Sequence, residues 1–503
     1  MTTGQGAQPN RREFLRAVGA AGAVASVVGV TGLRLPGRGE RVIMQTPAPV
    51  EGPGPATTAF MDPLWNPAAG LIHPPFDAGA PLVRETAWYA NGLLTRNGPG
   101  DLKRAAIALE TVASKQYDAP GEPYHGSFAR TADDPPAPPS PAREFLEFDP
   151  NWRQFIGTAL ALAVERHGNE LGTLRPKLEH SIDLAVAGER PDRVQPDYSN
   201  IAIMHAWLLA HTGSKREGEQ LARAIAKRYR RAGALDEYNS PTYDGVALYG
   251  LRLWRDEPPT RVFSDLGDQL YDDVWRNIGA LYHAGLRNMA GPYSRAYGMD
   301  LRRYANLVGL WIWAVVGTEQ APFPSLAGPF DHAADACFGP MVGLFEGAVP
   351  ATVHDRLVAF PGPHQVRAGV PGKKGWTATT WLTEWGTSGG WAGAPVAIGG
   401  EQIVPGTVHW AGGWIRVRNA QGGVDAKAMP DCLDVDVNAP GPATVTVGIP
   451  GLDPATMATN PWKLPGLNVQ VNDSSPLGPP RVTLEGVEVD FGPGHFRLDV
   501  EPA

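Results

Sequence analysis

Four short segments concentrate side chains that can do chemistry: Phe148-Asp-Pro-Asn-Trp152, Asp197-Tyr-Ser-Asn200, Glu237-Tyr-Asn-Ser-Pro-Thr-Tyr243 and Gly291-Pro-Tyr-Ser-Arg-Ala-Tyr-Gly-Met-Asp300. Phenols exchange protons, amides and guanidinium groups donate toward oxygen, and carboxyls act as acids or bases. Helix capping accounts for Asp, Asn and Ser at such places, and for Pro in a first turn. It does not account for the density of Tyr, Asn and Arg.

The elements around these segments explain why they could meet. In Tyr198 to Thr212 the apolar positions Ile201, Met204, Ala206, Leu208 and Leu209 surround the helix, as burial on most sides requires. Lys215 to Ala232 is charged with a narrow apolar stripe at Leu221, Ile225 and Tyr229, and Gly233 is placed to cap it. Buried-type helices near 151–167, 198–212, 244–254 and 300–317 alternate with amphipathic ones near 171–188, 215–232 and 261–283. This is an array of α-hairpins. If the buried helices form an inner ring, every inner helix starts at one rim, and the four segments converge there.

A second pattern begins near Gly362. Short alternating stretches such as Trp414-Ile-Arg-Val-Arg418, Ala443-Thr-Val-Thr-Val-Gly448 and Val487-Glu-Val-Asp-Phe491 are punctuated by Gly, Pro, Asn and Asp, which predicts an antiparallel sandwich. The expected fold is therefore α+β and multidomain, an α/α toroid (an incomplete barrel of α-hairpins) over 81–350 followed by an antiparallel β-sandwich over 362–503. A short helical stretch at 331–347 joins them, and 34–80, rich in Pro, Gly and Ala, reads as an irregular linker.

A helical toroid followed by a β-domain, with Tyr, Arg and Asn in the rim segments, resembles the toroid polysaccharide lyases, the broad group of alginate, glucuronan and heparinase II/III-like enzymes. The resemblance spans roughly residues 80–500 in architecture and is local in motif. It implies β-elimination on a uronate: donors neutralise the carboxylate as charge builds there, and a base removes the C5 proton. Carried onto this sequence, it makes Tyr297 the base and acid, with Arg295 lowering its pKa and holding substrate. Asn200 and Asn239 become carboxylate-facing donors, and Glu237 a protonated partner or the group that orients Tyr243. Tyr243, Tyr238, Tyr293, Trp152 and Asn151 are placed as substrate-binding residues, Trp152 as a sugar platform. Members of the group often carry His beside the inner-helix Asn; here Ile201 follows Asn200. His205, one turn later, is a core residue or a site residue, and His125, in the proline-rich loop 117–147, is a possible source of the imidazole or part of a solvated excursion. The alginate-lyase-like branch needs no metal, whereas heparinase-like members can hold a structural zinc; no ligand set in this sequence is assigned, and no cofactor is expected.

Two other readings stay open. A glycoside hydrolase on the same toroid would use two carboxyls, with Glu237, Asp149, Asp244 and Asp300 available. A glycan-binding envelope protein would keep the aromatics without needing Arg295 beside Tyr297.

The whole chain bounds the rest. Across 503 residues the formal charge is −8, which gives no basic face for nucleic acid. Only Cys337 and Cys432 occur, so there is no disulfide framework or Cys-rich zinc site. Phosphate-loop, serine-elbow and zincin motifs are missing. Asn10-Arg-Arg-Glu-Phe-Leu-Arg16 and the apolar stretch behind it resemble a twin-arginine export signal over 1–33. The expected location is secreted, periplasmic or envelope-associated, with the twin-arginine machinery and a polysaccharide as partners and no membrane span.

Overall fold

The alternation of buried and amphipathic helices is realised as a ring of paired helices. A computed structural model describes residues 52–345, 347–370, 375–393, 402–419 and 422–503. The export signal and the first part of the expected linker lie outside the described residues.

The helices are α1 Pro53–Met61, α2 Val83–Arg96, α3 Asp101–Ser114, α4 Trp152–Leu171, α5 Arg175–Ala187, α6 Ser199–His211, α7 Lys215–Ala232, α8 Tyr243–Asp256, α9 Arg261–Leu281, α10 Leu307–Val316, α11 Gly339–Gly343 and α12 Ala351–Val358. Their neighbours define two layers: α2, α4, α6, α8 and α10 touch in succession, while α3, α5, α7, α9 and α12 pack outside them. Helices α1 and α11 lie between α10 and α2 and close the ring. The inner helices are buried nearly all round, as in α6, where Ile201, Met204, Trp207 and Leu208 are all covered. Gly233 takes the left-handed conformation (φ 71°) that ends α7, its N–H bonded to the Tyr229 carbonyl at 2.7 Å.

Two expectations are corrected. Residues 53–61 are not an irregular linker but helix α1, with Pro53 in its first turn and five of its residues buried; Gly54 meets Gly343 of α11 so closely that a Cβ on Gly54 would stand 2.8 Å from the Gly343 Cα. A glycine- and proline-rich composition here serves close packing of backbones. The last inner helix starts at Leu307, not near 300, because Asn306 caps it by accepting from the Gly309 N–H at 2.7 Å.

The β-part has two antiparallel sheets. The larger runs through β11 Arg481–Val482, β12 Val487–Phe491, β8 Ala443–Gly448, β5 Gly413–Arg418, β4 Gly406–Trp410, β3 Gly386–Ala392, β2 Trp376–Leu382 and β1 His364–Val370. The smaller runs through β6 Val424–Met429, β7 Cys432–Val437, β13 Gly494–Pro502, β10 Leu467–Asn472 and β9 Trp462–Leu464. Alternating residues such as Ile415, Val417, Val445, Leu433 and Val435 fill the space between the sheets. Trp376 and Trp391 instead join the helical core, packing on Tyr238 with ring centroids 5.5 and 5.8 Å away. That seam positions the site. Cys337 and Cys432 are both buried free thiols. Among the described residues no helix is long and apolar enough to cross a membrane.

Candidate active site

The inner helices do begin at one rim. Asn151, before α4, donates to the Tyr198 hydroxyl before α6 at 2.6 Å. The Glu237 carboxylate, before α8, accepts from the Asn200 backbone at 2.9 Å and from its side chain at 2.5 Å. The Val308 N–H of α10 donates to the Pro241 carbonyl at 2.9 Å.

A strap of chain, residues 290–298, crosses this rim and carries Arg295 and Tyr297. It is held from both sides. From the helical side, Asn239 (φ 51°) donates both amide hydrogens, to Ala290 and Pro292 carbonyls at 2.7 and 2.8 Å, and Ser240 donates to the Arg295 carbonyl at 2.7 Å. From the β-side, Thr380 donates to the Gly291 carbonyl at 2.8 Å, and Tyr293 and Val404 exchange backbone hydrogen bonds at 3.0 and 2.9 Å. The Ala296 N–H reaches the Gln402 carbonyl at 3.0 Å, and the Gln402 side chain accepts from Arg295 Nε at 2.9 Å.

The strap brings five charged or ionisable groups together. The Tyr297 and Tyr243 hydroxyls are 2.6 Å apart. Arg295 lies 3.9 Å over the Tyr243 ring and 3.5 Å from the Glu237 carboxylate. His332 stacks on Tyr297, centroids 4.4 Å apart and planes 15° apart. Burial pushes the Tyr297 phenol above its ordinary value, and the Asp335 charge adds to this; Arg295, the bond from Tyr243 and Arg84 pull it down without cancelling the rise. The expected lowering by Arg295 is thus real as a contribution but is outweighed. Tyr243 is raised well above the ordinary phenol, by burial first and then by Tyr297. Burial also raises Glu237, opposed by the Asn200 bonds and Arg295.

Other expected residues fall into three groups. Asn200 belongs to the cluster, and its buried Oδ1 has no hydrogen-bond partner among the described residues. Asn151 extends it outward: Arg193 donates to Asn151 at 2.8 Å and pairs with Glu189, which also holds Gln154 at 2.8 Å. His205 lies behind that network, 3.4 Å from Gln154, where burial lowers its pKa to about 4.

Five assignments are corrected. Asn239 spends both amide hydrogens on the strap, so it positions Arg295 and Tyr297 and does not face a carboxylate. Tyr238 and Tyr293 are seam residues, buried, the latter bonded to the Met289 carbonyl at 2.5 Å. Trp152 is buried with the Arg84 guanidinium 5.4 Å over its ring, which removes it as an open platform. His125 accepts from the Ala119 N–H at 3.0 Å within the loop 117–147, whose Tyr117, Tyr124 and Ala129 form a small core with the adjoining Phe148.

Sequence reasoning passed over His332, Gln402, Arg84 and Asp335. Arg84 sits 4.6 Å over Trp88, pairs with Glu85 at 2.5 Å and lies 3.8 Å from Asp335. Its place in the first turn of an inner helix was the available signal; His332 and Gln402 offered none, because their partners are distant in the chain. Among the described residues no group of three or more His, Cys, Asp or Glu side chains is placed to hold a metal ion.

Residues 56–346, more than half of the sequence, match a family described as a domain of unknown function, DUF8769. The chain belongs to that family. No curated protein matches it. Among solved structures, this DUF8769 member is similar to the X-ray structure of the Streptomyces coelicolor A3 chondroitin AC lyase in complex with chondroitin sulphate, with 11% identity over 90% of this chain and 79% of that one and a TM-score of 0.39.

Proposed function

We propose that this protein is an exported polysaccharide lyase that cleaves a uronate-containing polymer by β-elimination. The observation that carries the reading is the pair of phenols, Tyr243 and Tyr297, 2.6 Å apart beneath Arg295 at the mouth of the helical ring. Tyr297 is the base. Its ionised oxygen receives a hydrogen bond from Tyr243, and both phenols sit in the field of Arg295. The C5–H bond breaks with its proton passing to Tyr297; the C4–O bond then breaks, a C4–C5 double bond forms, and the departing oxygen takes the proton back from Tyr297. Arg295, Asn200 and a protonated Glu237 face the uronate carboxylate, where charge develops. A raised pKa makes the phenolate scarce at neutral pH but a stronger base, and the cation beside it restores part of the population.

Export rests on the twin-arginine segment Asn10–Arg16. The reading assigns no cofactor, so turnover should survive dialysis against a chelator.

The test is ultraviolet absorbance of the C4–C5 double bond during incubation with hyaluronan, chondroitin, alginate and glucuronan, with Tyr297→Phe as control. A signal lost in the variant supports the reading; saturated products would replace it with hydrolysis. One observation favours that second reading: three carboxyls around this mouth, Glu237, Asp149 and Asp335, are all raised by burial, as a general acid requires. Hydrolysis predicts that Glu237→Gln stops turnover while Tyr297→Phe does not.

A further inference from the structure

Two large apolar side chains, on the segments that lead into the inner helices α2 and α4, are both exposed and held in a costly backbone conformation. Phe76 is 46% exposed at φ 58°, and Phe145 is 47% exposed at φ 64°. Left-handed backbone is rare and costly for bulky residues, and such strain gathers at functional sites. Neither ring recovers that cost by full burial. Asn239 and His332, already placed at the site, share the same conformation.

Each phenylalanine leads toward the rim residues by its own route. Phe76 packs on Phe330 with centroids 5.5 Å apart, and two residues on, His332 stacks on Tyr297. Phe145 forms the tip of a turn with the half-exposed Leu146, its N–H bonded to the Phe148 carbonyl at 2.7 Å. The neighbouring Glu144 holds Arg190 at 2.8 Å, beside the Glu189–Arg193–Asn151 network that ends on Tyr198. The two apolar tips have different neighbours, Phe76 packing on Phe330 and Phe145 standing beside the charged Glu144–Arg190 pair. A protein partner would favour one continuous apolar patch. A glycan, with apolar C–H faces and polar edges, suits separated platforms joined by polar groups.

We infer that Phe76 and Phe145 are sugar-binding platforms for units of the polymer outside the one being cleaved. This rests on the reading of a glycan-active site, and deepens it.

The test uses Phe76→Asn and Phe145→Asn, since Asn accepts left-handed backbone, with Phe76→Tyr and Phe145→Tyr to keep a ring. Affinity is measured by electrophoresis through gels containing hyaluronan, chondroitin, alginate, glucuronan or neutral xylan, in the Tyr297→Phe background. Each Asn variant should lose about 2- to 10-fold in affinity for the bound polymer, and each Tyr variant should keep it. With Tyr297 intact, kcat/KM should fall on polymer and not on the shortest cleavable oligosaccharide. Equal affinity in the Asn variants, or equal losses with Asn and Tyr, overturns the platforms and leaves the lyase reading standing. Platform-dependent binding without a double-bond product sinks elimination and keeps the platforms. No binding of the unsubstituted mouth to any of the five polymers overturns both.

Discussion

Gly389 of the larger sheet lies against the carbonyl of Gly291 in the strap: a Cβ at position 389 would stand 1.9 Å from that oxygen. The strap can settle on the sheet only because this strand has no side chain there. Gly389→Ala should therefore cost about 1–3 kcal/mol of stability, the range for overpacking a well-filled site, and should lower turnover by displacing Arg295 and Tyr297. Denaturant unfolding and kinetics on the same sample check it; unchanged values for both would mean the seat is softer than its geometry.

Removing the Tyr297 hydroxyl takes away the proposed base and leaves the stacked ring. Tyr297→Phe should reduce kcat by roughly 10²- to 10⁴-fold, the usual worth of a positioned acid–base group, without changing the unfolding midpoint by more than a few degrees. Tyr243→Phe should be milder, since it removes a donor to the base and not the base itself. Equal losses in the two would reassign the proton to the pair as a unit.

Arg295 lowers the Tyr297 phenol against the stronger effect of burial. If the phenolate is the active form, kcat/KM climbs with pH toward the alkaline side. Arg295→Gln withdraws the cation, so the phenol rises further and the climbing limb moves to higher pH. A limb that moves down, or stays, contradicts Tyr297 as base.

His205 and His409 are buried, and burial lowers each from 6.5 to about 4. The unfolded chain then binds more protons than the folded one between these values. The stability these histidines carry is complete above pH 6.5 and is lost as pH falls toward about 4. The thermal midpoint should drop across that window, and His205→Gln combined with His409→Gln should flatten the drop. An unaltered slope in the double variant would locate the acid sensitivity elsewhere.

The helical ring was legible because its signal is periodic. Residues such as Ile201, Met204 and Leu208 declare a buried helix by their spacing, and Lys215–Ala232 declares an outer one by its charge. Helix α1 was not, because Pro53 and Gly54 serve backbone contact with Gly343, a purpose that leaves no period. At the site, Arg295, Tyr297, Tyr243, Asn200 and Glu237 stood out as polar residues in rim segments, and the fold brings them together. Asn239 stood out equally, yet its amide is consumed by carbonyls about fifty residues ahead, which no local pattern announces. His332 and Gln402 reach Tyr297 and Arg295 from other parts of the chain and look like ordinary loop residues in sequence. Chemistry-bearing types were readable; the long-range bonds that aim them were not.

The family match ends at residue 346, yet Thr380, Gly389, Gln402 and Val404, which seat the strap, all come later. The helical half is therefore not a portable cassette. A chimera that joined these helices to a foreign β-partner would carry every reacting side chain and still lack the bench on which two of them are mounted, unless the graft also supplied a bare strand position opposite Gly291 and an amide for Arg295.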